Sequence, residues 1–274
     1  QVTHTKQRGA KLSVGSKTVA ARRKQNEDIM TNPKGVLYGL GVGPGDPELI
    51  TLKAAGILSR VDVVYAAGST KNDHSLAVQI AGPHIPEHTP VKMLRFPMTA
   101  DKAEKQRSWE AHARTIINEM EQGLQVAFIT LGDSMTYSTY GYLLKTVQAL
   151  APHLDVVSVP GITSYQAAAA AVNRPLVEGE ESLLLISGVE GGHRFRQCAG
   201  CAENVVFLKA YKNIHDIRDA LSENSCLDTS LAVSQCSLPE EKIIRDLNTL
   251  DAGHRNYWTL ILTHQKTKNG QTQA

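Results

Sequence analysis

The chain has 274 residues, 29 Lys and Arg against 27 Asp and Glu, a formal net charge of +2, and 42% hydrophobic side chains. This near-balance gives no whole-molecule pull toward nucleic acid, and 5% aromatics leave little for a base-stacking platform. The length suits one large domain or two of ordinary size, and no apolar run approaches a membrane span, so neither a nucleic-acid nor a membrane partner is expected.

Residues 1–34 are polar and basic (Lys6, Arg8, Lys11, Arg22, Arg23, Lys24) and lack the apolar core of a signal peptide. They are expected to be a disordered or added extension. All four cysteines, Cys198, Cys201, Cys226 and Cys236, lie beyond residue 197, which excludes a disulfide scaffold and points to a reduced, cytoplasmic setting.

The first element is a strand–loop–helix unit, VLYGLGVGPGDPELITLKAAGIL at 36–58. Four loop positions, Gly39, Gly41, Gly43 and Gly45, lack side chains, so a ligand can approach the backbone closely. Asp46 and Pro47 make a helix start, and Leu49, Leu52, Ile57 and Leu58 recur at helical spacing. A dinucleotide fingerprint fails here. Read from Gly39, G-x-G-x-x-G meets Pro44; read from Gly41, it meets Asp46, which would repel a phosphate. The next strand ends in Ala66-Ala67 instead of an acidic residue for a ribose.

The pattern then predicts a strand at 61–67, a helix at 73–81, a strand at 91–94, a helix at 100–122 and a strand at 125–131. A helix at 138–150 and a strand at 155–159 complete a mostly parallel sheet. Ligands of such sheets sit beyond the carboxyl ends of strands. The glycine loop and Leu131-Gly132-Asp133-Ser134-Met135-Thr136-Tyr137 should therefore share one rim. An alanine-rich helix follows at 162–172, small enough to lie close to a neighbour. Strands at 183–187, 205–210, 230–234, 242–247 and 257–263, with a helix at 214–221, read as a second, more mixed sheet. The fold class is α/β: two α/β domains with a cleft between them, 35–160 and 161–266, followed by a polar tail at 267–274.

Four pieces in order, GVGPGDPELITLKA at 41–54, LGDSMTYSTY at 131–140, VPGITS at 159–164 and FLKAYKN at 207–213, resemble the tetrapyrrole methylase superfamily. RFPMTAD at 95–101, the YST after the Gly-Asp loop, and the FLKAYKN strand end look like its C-20 methyltransferase branch, acting on precorrin-2 or cobalt-factor II. The resemblance implies the tetrapyrrole methylase fold, S-adenosylmethionine as methyl donor with S-adenosylhomocysteine as product, a small-molecule tetrapyrrole substrate, and a homodimer. It places the donor against Pro44, Leu131, Gly132, Asp133 and Thr136 on one side and Thr163 and Ser164 on the other. Further contacts are implied at Ala210, Tyr211, Gln235 and Cys236.

Asp133 has a second reading as a helix cap, and Thr163 and Ser164 as N-cap residues. Two departures from the family pattern stand out. Ser134 replaces the usual proline of Gly-Asp-Pro, and Tyr65 is followed by Ala66 where the uroporphyrinogen branch has an aspartate. Other methylases of this fold, acting on another tetrapyrrole position, ribosomal RNA or diphthamide precursors, share part of the pattern, as does a non-catalytic donor binder.

Methyl transfer from a sulfonium to an electron-rich ring carbon rests on alignment in a dry cleft, so no catalytic residue is singled out. The carboxylate-rich substrate makes Arg95, Arg174, Arg194 and Arg196 candidate clamps, each with an ordinary surface role as the alternative. Cys198-x-x-Cys201 beside His193 lacks the four spaced ligands of a structural zinc, so no metal site is expected.

Overall fold

The computed structural model describes residues 34–69, 75–97, 99, 101–250 and 256–265. The first 33 residues, the whole polar tail, Met98 and Ala100 of RFPMTAD, and the start of the helix expected from Asp73 lie outside them.

The first sheet holds β1 (Val36–Gly41), β2 (Val63–Ser69), β3 (Val91–Phe96), β4 (Gln125–Thr130) and β5 (Asp155–Val159). All pairings are parallel, in the order β3-β2-β4-β1-β5. Alternation along β1 decides which face each residue packs. Val36, Tyr38 and Leu40 meet α1 (Leu52–Leu58) and α2 (Leu76–Ala81). Leu37 points the other way, to α3 (Lys102–Glu121) and α4 (Tyr140–Leu150). On that second face a side chain on Gly39 would collide with the Tyr140 ring.

The first helix differs from its expected form. Asp46 caps a 3-10 turn at Pro47–Leu49 by accepting from the Glu48 N–H at 2.8 Å. The Thr51 hydroxyl then starts a separate helix by accepting from the Ala54 N–H. Two caps this close break one helix into two pieces. Leu52, at the first position of α1, is thereby 93% exposed instead of buried. Leu52→Glu is expected to change stability by no more than about 0.5 kcal/mol, as read by thermal unfolding.

The second sheet holds β6 (Leu183–Ser187), β7 (Asn204–Leu208), β8 (Leu231–Ser234), β9 (Lys242–Ile244) and β10 (Thr259–His264), in the order β6-β7-β10-β8-β9. Only β6 and β7 pair in parallel. The alanine helix, α5 (Ser164–Ala171), buries Ala167, Ala168 and Ala169 against Val206, Leu231, Val233, Leu260 and Leu262. On the opposite face α6 (His193–Cys198) and α7 (Ile214–Glu223) pack Phe195, Ile217 and Leu221 against Phe207 and Ile261. The pattern reading missed α6. There Arg196 bridges to Asp216 at 2.8 Å and Glu223 at 2.6 Å, both on α7.

Candidate active site

Strands β1 and β4 are neighbours, yet the chain leaves β1 toward α1 on one face and β4 toward α4 on the other. This is the topological switch point, where the strand ends open a crevice. The two exit loops are tied together there. The Gly43 N–H donates to the Gly132 carbonyl at 3.2 Å, and the Gly132 N–H donates back to Gly43 at 2.7 Å. Both residues have left-handed backbones (φ +88° and +70°), a conformation that favours glycine.

A third loop closes on this pair. Gly161, just past β5, sits so close to Gly41 and Gly132 that a Cβ on it would come within 2.7 Å of the Gly41 carbonyl carbon. Gly45 meets the loop that follows β8 of the second sheet, where a Cβ would lie 2.6 Å from the Ser237 carbonyl oxygen. Glycines therefore let three strand ends and one loop of the second lobe meet backbone to backbone.

Asp133 holds the arrangement. One carboxylate oxygen accepts from the Met135 N–H and the Thr136 hydroxyl, both at 2.9 Å, and the other accepts from the Gly161 N–H at 3.0 Å. The carboxylate is thus engaged within the loops and caps no helix. Ser134, in place of the family's proline, is fully buried and donates to the Val159 carbonyl at 3.0 Å. Helix α4 begins later than expected because the Ser138 hydroxyl accepts from the Tyr140 N–H and Tyr137 turns left-handed.

The loops floor a cavity of about 410 Å³ between the two sheets. Pro44, Leu131, Gly132, Asp133, Thr136, Thr163, Ser164, Gln235 and Cys236 line it. Thr163 is also the N-cap of α5, sharing a reciprocal capping box with Gln166. Burial pushes the Cys236 thiol up to about 11, so it stays protonated and is no nucleophile near neutral pH.

Ala210 and Tyr211 are not in the wall. Ala210 is buried and donates its N–H to Thr259, and Tyr211 packs edge-on against Tyr257, whose ring does line the cavity. Lys209, one residue earlier, takes the lining position. Arg95 and Arg174 are also outside the wall. Arg174 is half-buried and donates to the Thr229 carbonyl at 2.9 Å, and burial lowers its pKa. Pattern reasoning did not single out Tyr137, Lys209, Tyr257 and Trp258. Tyr137 and Lys209 do lie within the LGDSMTYSTY and FLKAYKN pieces, whereas Tyr257 and Trp258 carry only the signal of aromatic residues beside a strand end.

Among the described residues no three His, Cys, Asp or Glu side chains stand together as a metal cluster, and no helix is long and apolar enough to cross a membrane.

A parallel sheet with a switch-point crevice, covered by a second mixed sheet that completes a small-molecule cavity, defines a two-lobed α/β protein with its site between the lobes. Residues 36–251 match the Tetrapyrrole (Corrin/Porphyrin) Methylases, and the chain belongs to that family. The Cobalt-precorrin-2 C(20)-methyltransferase of Salmonella typhimurium is 36% identical over 233 residues, 85% of this chain and 97% of that protein. The Precorrin-2 C(20)-methyltransferase of a Sinorhizobium species is 28% identical, covering 73% of this chain and 84% of the relative. Among solved structures, Uroporphyrin-III C-methyl transferase from Thermus thermophilus, complexed with S-adenyl homocysteine, superposes with a TM-score of 0.59 at 24% identity, covering 83% of this chain and 97% of that one.

Proposed function

We propose that the chain is an S-adenosylmethionine-dependent C-methyltransferase of cobalamin biosynthesis, methylating carbon 20 of precorrin-2. The cobalt chelate is the favoured form, because the relative named for it is 36% identical against 28% for the metal-free one. Residues 35–160 and 161–266 act as its two domains, in a cytoplasmic homodimer.

The observation that supports this reading best is the joined pair of glycine turns, Gly43 and Gly132, flooring a cavity of about 410 Å³. The cavity suits the donor in size, since small-molecule sites span roughly 300–1,000 Å³. Its chemistry suits the donor as well. Pro44, Ala67, Ala77, Ile129 and Leu131 offer an apolar wall, and Thr130, Thr136, Ser138 and Ser164 offer hydroxyl oxygens. Several of those hydroxyl protons are already used internally: Ser138 donates to Thr130, Thr130 to the Leu131 carbonyl, and Thr136 to Asp133. Their oxygens keep lone pairs that favour a cation.

S-adenosylmethionine bound there supplies an electrophilic methyl group on a sulfonium. The chain's part is to exclude water and align the two reactants, worth several orders of magnitude in rate without a general base. Incubation with labelled donor and each form of precorrin-2, followed by mass and NMR assignment, should show one methyl group on carbon 20. Calorimetry should show S-adenosylhomocysteine binding. A methyl group on another carbon, on RNA or on a protein, would replace this reading.

A further inference from the structure

Building on that reading, we propose that Lys209 anchors a carboxylate arm of the macrocycle at the mouth of the cavity, held in place across the cleft by Tyr137. Lys209 and Asp133 are the only charged side chains lining the cavity among the described residues. Asp133 is occupied by its own loop. Among the described residues Lys209 is therefore the one cation in the wall that meets an incoming polycarboxylate.

Its placement is specific. Lys209 follows β7 of the second sheet, and its ammonium stands 5.8 Å from the ring centroid of Tyr137, on the loop after β4 of the first sheet. That distance lies within cation–π range. The Tyr137 hydroxyl reaches across the same gap to within 3.5 Å of the Leu185 carbonyl. Both residues hold left-handed backbones, φ 49° at Tyr137 and 59° at Lys209, which residues bearing a Cβ adopt only where surrounding structure imposes it.

The neighbourhood fits a flat ligand. Tyr137, Tyr257 and Trp258 line the cavity yet remain 54%, 49% and 43% exposed. They form an aromatic rim where a macrocycle too large for the cavity would project into solvent. A cation beside such a rim fixes one edge of the ring system. It thereby sets which carbon lies over the donor.

The test uses Lys209→Met, which keeps the stem and adds no backbone strain, with Lys209→Arg and Tyr137→Leu. Lys209→Met is expected to raise the substrate KM about tenfold or more, as for a lost hydrogen bond to a charged group, while S-adenosylhomocysteine affinity stays within about twofold. Lys209→Arg should restore most of the KM, and Tyr137→Leu should fall between. The rise of KM with ionic strength should be shallower in Lys209→Met than in wild type. Thermal unfolding of each variant separates these effects from misfolding.

An unchanged KM in Lys209→Met overturns the assignment. So does a loss of S-adenosylhomocysteine affinity as large as the KM rise, which would place Lys209 on the donor. Wild-type protein that binds no S-adenosylhomocysteine would refute the methyltransferase reading itself.

Discussion

Asp133→Ala is expected to lower stability by about 2–4 kcal/mol and S-adenosylhomocysteine affinity by about a hundredfold or more, the first read by denaturant unfolding and the second by calorimetry. Three groups lose their acceptor at once: the Met135 N–H, the Thr136 hydroxyl and the Gly161 N–H. Each bond to a charged acceptor is worth roughly 1.5–3 kcal/mol, but the loop is partly solvated and the three share one carboxylate, so the sum is discounted. A domain stable by about 5–15 kcal/mol survives this loss, so the variant should still fold.

Asp133→Asn separates charge from shape. Its amide oxygen can serve Met135 and Thr136, but its NH2 then faces the Gly161 N–H, donor against donor. Roughly half the stability cost should remain, with most of the affinity loss. Asp133→Ala with wild-type stability would mean that the carboxylate does not hold the three loops together. Wild-type affinity in the same variant would mean that the donor does not need them held.

Much of this architecture was legible in the residues because it rests on local rules. Runs rich in Val, Ile and Leu separated by glycine mark the parallel strands. LGD after β4 and GVGPGDP after β1 mark loops that the switch-point rule sends to one rim. What stayed hidden depends on contacts distant in sequence. Asp133 was visible as a carboxylate in a loop, yet its partner Gly161 lies 28 positions away. Its inward engagement is a product of three strand ends meeting. The Tyr137–Lys209 contact depends on how one sheet sits on the other, and no periodicity encodes that. The shift from Ala210 to Lys209 has a local cause. Lys209 turns left-handed as β7 ends, the Tyr211 N–H closes onto its carbonyl at 3.0 Å, and Ala210 is drawn into the ladder with Thr259. Leu52 shows the opposite failure, a helical spacing read through a break that Thr51 imposes.

Gly161→Ala should destabilise the protein by about 3 kcal/mol, near the top of the usual overpacking range, and lower its melting temperature by roughly 6–12 °C. The added methyl would meet the Gly132 carbonyl oxygen well inside contact distance and the Gly41 carbonyl carbon and oxygen at 2.7 and 2.8 Å. All three are backbone atoms, and none can rotate away as a side chain would. Gly132 is fixed by its two bonds to Gly43, and Gly41 by its place at the end of β1 between β4 and β5. The strain must therefore spread the turns apart, which widens the floor of the cavity and breaks the Gly161 N–H bond to Asp133. S-adenosylhomocysteine affinity should fall with stability. Gly141→Ala is the control: it lies in α4 with nothing within 4 Å of an added Cβ, and should stabilise by about 0.5–1 kcal/mol. If Gly161→Ala melted and bound like wild type, the three glycines would be separable. The cavity floor would then be set by side chains instead of by backbones in contact.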